Sequence, residues 1–142
     1  MCAYVQKAAD KPVSVSIIPR GPAGGVTWMS EGDEQFMKRS KATARLVTAL
    51  GGRAAEHMLL GDDFTQGAYG DLMSATELAT NMAARFGMTD LGLMVRDPDR
   101  VAISNNDLHV VVEAMLVTAL EDAQTLLEEH RPFVERLSLI HI

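Results

Sequence analysis

The stretch Gly67–Met88, GAYGDLMSATELATNMAARFGM, decides how the chain is read. Leu72, Ala75, Ala79, Met82, Ala83 and Phe86 recur every three or four residues, the spacing of one apolar helix face, and Gly87 follows as a C-cap. Ahead of that face stands one carboxylate, Asp71, among Gly67, Tyr69 and Gly70. Two roles are open to it. As a helix cap it accepts hydrogen bonds from the unpaired N–H groups of the first turn and meets the positive end of the dipole, a contribution of roughly 0.5 to 2 kcal/mol. As a metal ligand it needs partners, because zinc takes four positions and a catalytic site leaves one of them to water.

Working upstream, Ala44, Val47, Leu50, Ala54, Ala55, Met58 and Leu59 keep helical spacing from Ser40 across the Gly51-Gly52 pair. Paired glycines cost backbone entropy unless close packing demands them, so two helical segments or one locally irregular helix are expected. Residues 61–71 read as a loop. Downstream, residues 87–100 are irregular, with Pro98 in a charged turn. Ser104–Leu108 then offers cap residues to a long helix. Its inner face takes Leu108, Val111, Val112, Met115, Ala119, Ala123, Leu126 and Leu127, and its outer face Glu113, Glu121, Asp122, Glu128 and Glu129. Pro132 limits that helix, and a short final helix follows.

Nearer the N-terminus, Val13, Ser14, Val15, Ser16, Ile17 and Ile18 form a β-branched run bracketed by Pro12 and Pro19, which reads as an edge strand. Pro19–Gly25 is a turn, and Val26–Met29 returns as a second strand. The expected fold is therefore mainly α, with a small two-stranded β element near the N-terminus.

Hydrophobic residues make up 47% of the 142 and aromatics only 5%, so the core must be built from Ala, Leu, Val and Met. Cys2 is the only cysteine, which excludes an internal disulfide and a Cys-rich zinc knuckle. A net charge of -6 argues against a nucleic-acid partner. No apolar run approaches the length of a membrane span and no signal-peptide pattern begins the chain, so a soluble segment without direct membrane contact is expected.

The histidines are His57, His109, His130 and His141, and none belongs to a His-Glu-x-x-His motif. That motif puts two imidazoles on one helix face with a glutamate beside the attacking water. His109 and His130 read as boundary residues of the long helix. Arg53 stands three residues before Glu56, close enough on a helix to pair with it. Glu56 is either one of an exposed pair or a carboxylate that orients a ligand or water near a metal. Asp33, Glu34 and the Asp62-Asp63 pair do not form an EF-hand loop, and Gly21, Gly24 and Gly25 do not form a phosphate-binding loop. Ser14, Ser16 and Ser74 lack the setting of a hydrolase nucleophile.

Three blocks occur in order: SVSIIPRGPAGGVTW, LGGRAAEHMLLGD and TQGAYGDLMSATELATNMAARFGM. Together with DLHVVVEAMLVTALEDAQTLLEEHRPFVERL, they resemble the peptidase domain of the FtsH-type membrane-anchored AAA+ zinc proteases over residues 12–137. The resemblance implies a partial helical zinc metallopeptidase domain over 1–137, with 138–142 a tail foreign to the family. It implies that Asp71 is the third zinc ligand, that Glu56 lies near the metal with Arg53 beside it, and that the strand Val13–Ile18 borders the cleft where a polypeptide substrate adds to its edge.

In the family the two histidine ligands and the catalytic glutamate come from a helix that precedes this strand, so no catalytic residue is assigned within the chain. Zinc would belong to the intact enzyme and ATP to an AAA+ domain elsewhere, with neither bound tightly by these residues alone. The parent is expected to be a membrane-anchored homo-hexamer with cytoplasmic catalytic domains. His57 and the Tyr69-Gly70 pair depart from the family's pattern. The competing expectation is a noncatalytic interaction or oligomerisation domain of the same ancestry.

Overall fold

Small side chains at helical spacing let helices approach closely, and α2 (Arg39–Leu60) is the element against which the others gather. The computed structural model describes residues 1–16, 18, 26–30, 36–93, 95 and 105–140. Ala42, Leu46, Val47, Leu50 and Ala54 are buried along α2, facing α3 (Tyr69–Ala84) and α4 (Asn105–Glu129). Ala75, Ala79, Met82, Ala83 and Ala84 answer from α3, and Leu108, Val112, Ala119, Ala123 and Leu127 from α4. Leu46 and Met82 are the largest fully buried side chains, set in a core that is otherwise largely alanine. α5 (Arg131–Ile140) follows α4 after His130, with Pro132 in its first turn, where a missing N–H leaves no bond unmade. Residues 138–140 continue this helix.

The mainly α expectation holds, and so does the β element. β1 (Pro12–Ser16) pairs antiparallel with β2 (Val26–Met29), with Ser14 opposite Trp28 and Val15 opposite Thr27. β1 is shorter than expected. Ile18 lies beyond it in a bend, and Ile17 falls outside the described residues. Val13 and Val15 are both well exposed, so the alternation of β1 does not mark a face packed on the core. Met29 of β2 instead packs beside Ala3, Ala9 and Ala44.

Two inward assignments are corrected. Leu59 is half exposed in the last turn of α2, and Phe86 is half exposed because α3 has ended at Ala84. Gly87 closes that end as expected. Its φ of 60° turns the chain back so that the Met88 N–H donates to the Met82 carbonyl at 3.0 Å.

A short helix, α1 (Cys2–Val5), carries no periodic signal and was not expected. Its segment is fastened to α2 by polar contacts. Gln6 Nε2 donates to the Ala44 carbonyl at 3.3 Å, and Lys11 Nζ donates to the carbonyls of Ala3, Tyr4 and Gln6. Asp10 receives Lys41 at 2.8 Å and Arg45 at 2.7 Å. Hydrogen bonds from Lys41 and then Arg45 hold the Asp10 carboxyl below its ordinary 3.8. The pair therefore supports the fold above that pH, and the support is lost as pH falls through the lowered native value. Asp10→Asn is expected to reduce the melting temperature at neutral pH, with the deficit closing under acid conditions. A deficit that does not change with pH would contradict this.

α2 runs unbroken through Gly51 and Gly52, and close packing explains the first but not the second. A methyl group at Gly51 would sit 3.2 Å from Cys2 Sγ, whereas one at Gly52 would meet Asp71 Oδ2 at an ordinary 3.7 Å. Gly52→Ala is accordingly expected to stabilise the chain by about 0.5–1 kcal/mol through helix propensity. Gly51→Ala should forfeit that gain, and adding Cys2→Ala should restore it. Thermal melts of the three variants check this, and equal gains at both glycines would contradict it.

Candidate metal centre

The site is assembled from one stretch of α2 and the connection that follows it. Gly52 and Glu56 lie one turn apart and share a helix face, with Arg53 beside them. At the end of α2, Gly61 takes a φ of 66° while its N–H donates to the His57 carbonyl at 2.9 Å, and the chain reverses. Phe64 then lies under the Arg53 guanidinium, 4.5 Å from ring centroid to Cζ.

Thr65 comes next and makes two bonds. Its hydroxyl donates to Glu56 Oε1 at 2.6 Å and accepts from the Gly67 N–H at 3.1 Å. That second bond caps a single 3-10 turn, Gln66–Ala68, which leads directly into α3.

Asp71 is not a cap ahead of α3, as one reading of the sequence had it. It is the third residue of the helix, whose N-cap position is Ala68, and its side chain makes no capping bond. The capping that the sequence suggested for Asp71 is done by Thr65 for the preceding turn. Asp71 instead brings Oδ2 near the backbone of Gly52. No hydrogen bond or ion pair from the described residues reaches its carboxylate, and desolvation alone pushes its pKa above the ordinary carboxylate value.

The expected Arg53–Glu56 pair is present, at 3.8 Å between Nη1 and Oε2. That separation is too long for a hydrogen bond, so both buried atoms lack a hydrogen-bond partner. The structure thus brings Arg53, Glu56 and Asp71 to one region around Gly52. It does not bring His57 there: His57 Nδ1 faces Asp62 at 3.8 Å on the open side of the helix. His130 bonds the Leu126 carbonyl, and His109 lies on an exposed part of α4. β1 is hydrogen-bonded to β2 and does not pack extensively on α2 or α3.

Among the described residues, no three His, Cys, Asp or Glu side chains converge to hold a metal ion. What is present fits one corner of a zinc site. Asp71 offers an unpaired, partly desolvated carboxylate, an oxygen donor that zinc accepts, and Glu56 keeps one oxygen unbonded nearby on the same helix face as Gly52. Sequence reasoning missed Phe64, Thr65 and the role of Gly52. A threonine just before Gln-Gly at a helix lead-in is itself a turn and cap signal, and it was available.

Residues 1–140 match the model of peptidase family M41, and the chain belongs to that family. It is 39% identical over 140 residues to the ATP-dependent zinc metalloprotease FtsH 2 of Symbiobacterium thermophilum, covering 92% of this chain and 24% of that protein. It is 39% identical over 111 residues to the ATP-dependent zinc metalloprotease FTSH 6, chloroplastic, of Arabidopsis thaliana, covering 76% and 16%. It is 43% identical over 90 residues to the ATP-dependent zinc metalloprotease FtsH of Trieres chinensis, covering 62% and 14%. The chain thus spans a quarter or less of the length of these relatives. Among the described residues no helix is long and apolar enough to cross a membrane.

Proposed function

We propose that the chain contributes the aspartate side of the zinc centre in an FtsH-type ATP-dependent protein-degrading enzyme. The observation that carries this reading is the carboxylate of Asp71, exposed beside Gly52 without an ion-pair partner among the described residues, within a chain matched to peptidase family M41 over residues 1–140.

Zinc, when bound, polarises a peptide carbonyl and makes water a nucleophile near neutral pH. The residues of this chain act around that chemistry. Asp71 supplies an oxygen donor from the first turn of α3, a rigid element rather than a loop. Its carboxylate is exposed and has no ion-pair partner among the described residues, so it is open to a metal. Glu56 and Arg53 line the α2 side of the same region. The edge of β1, from Val13 to Ser16, that is unpaired among the described residues offers backbone N–H and C=O groups to an extended polypeptide substrate.

The 142 residues contain no His-Glu-x-x-His motif, so the two histidine donors and the general base belong to other residues of the intact enzyme. ATP hydrolysis, hexamer formation, membrane anchorage and a cytoplasmic position of the catalytic domains belong to that intact enzyme as well. Residues 1–142 alone are expected to bind zinc weakly and to leave unfolded casein intact, since one aspartate does not make a specific site. Chelator-sensitive cleavage by the purified chain would contradict the division of the site. In the intact enzyme, Asp71→Ala should deplete bound zinc, and an undiminished zinc content would overturn the ligand assignment.

A further inference from the structure

We infer that Thr65 is the positioning residue that fixes Asp71 against α2, with Glu56 as its anchor; this rests on the reading of Asp71 as a zinc ligand. Between Thr65 and Asp71 the chain has little slack. Gln66–Ala68 is one 3-10 turn and Tyr69 opens α3 without a break, so the place of Thr65 sets where the helix starts and where Asp71 points. Before Thr65, residues 61–64 are exposed, and they are held to α2 by the Arg53 guanidinium over Phe64. The stronger tie is the 2.6 Å bond from the Thr65 hydroxyl to a carboxylate oxygen of Glu56.

Three features show how closely this tie is coupled to Asp71. Glu56 is one helical turn from Gly52, so a single stretch of α2 receives both the anchor and the Asp71 carboxylate. The Thr65 hydroxyl is used twice, as donor to Glu56 and as acceptor from the Gly67 N–H, which joins the α2 surface to the start of the 3-10 turn. A side chain at Gly67 would crowd the same bond: a methyl there would lie 3.1 Å from Thr65 Oγ1 and 3.7 Å from Glu56 Oε1. Glu56 therefore acts toward the metal through the backbone that carries Asp71. Its Oε1 is already committed to Thr65.

Valine has the shape of threonine and can make neither bond, whereas serine can make both. In residues 1–142, Thr65→Val is expected to speed hydrogen exchange about tenfold at the Gly67 amide and at Met73 and Ser74, the first amides bonded within α3. Val112 and Ala119 of α4 should be unaffected, and Thr65→Ser should restore protection. Equal acceleration in α3 and α4, or none, would overturn the positioning role.

In the intact peptidase carrying these residues with its histidine donors, Thr65→Val should weaken zinc binding by about tenfold, the scale of residues that orient a ligand, while Thr65→Ser retains affinity. Asp71→Ala in the same protein separates the two claims. If Asp71→Ala weakens zinc binding and Thr65→Val does not, the positioning role fails and the ligand assignment stands. If Asp71→Ala has no effect, the ligand assignment fails and takes the positioning role with it.

Discussion

Two adjacent residues without side chains, Gly51 and Gly52, allow α2 to be approached closely at two neighbouring points. Each weakens a helix by roughly 1 kcal/mol relative to alanine. What they permit is contact. Cys2 lies against Gly51 and brings the N-terminal segment onto the core, while Asp71 leans toward Gly52 from the start of α3. At Gly52 the approach is an ordinary one, since an added methyl would still lie 3.7 Å from Asp71 Oδ2.

The rest of the core extends the same principle. Ala42 and Ala54 of α2 meet a bundle whose other buried positions include Ala75, Ala79, Ala83, Ala119 and Ala123. Small side chains let helix axes come near one another, and the volume is completed by a few larger residues such as Leu46 and Met82. Asp71 itself stays exposed at the start of α3, and partial desolvation moves its pKa upward. Asp10 shows the opposite arrangement in the same fold. There Lys41 and Arg45 surround a carboxylate and lower its pKa, making a structural clasp. Among the described residues Asp71 has no such partners.

Helical periodicity made α3 and much of α4 legible, because Ala75, Ala79, Met82, Val112, Ala119 and Ala123 do face the core. It failed at element ends. Leu59 and Phe86 continue the pattern in sequence, but the helix surface that would bury them has run out. α1 is one turn long and shows no period at all. The hairpin was legible from β-branched residues and turn chemistry, yet Val13 and Val15 show that alternation alone does not say which face is covered.

Asp71 was singled out by its place beside a helix, although local spacing alone favoured a cap over a ligand. Membership of peptidase family M41 supplies the context in which the second is meaningful. The capping bond of Thr65 could be read from the sequence, but its bond to Glu56 and the nearness of Asp71 to Gly52 could not, since both are tertiary contacts. Glu56 is nine residues from Thr65, and Gly52 is nineteen from Asp71; the turn at Gly61 brings each pair together. The zinc-ligand reading rests on the placement of Asp71, and a carbon-13 titration of its carboxyl in residues 1–142 tests that placement most directly. A pKa above the ordinary 3.8 is the expected result, from desolvation against α2 without a cationic neighbour. A value at or below 3.8 would show a carboxylate that is ion-paired or lacks that partial desolvation, and contradict it.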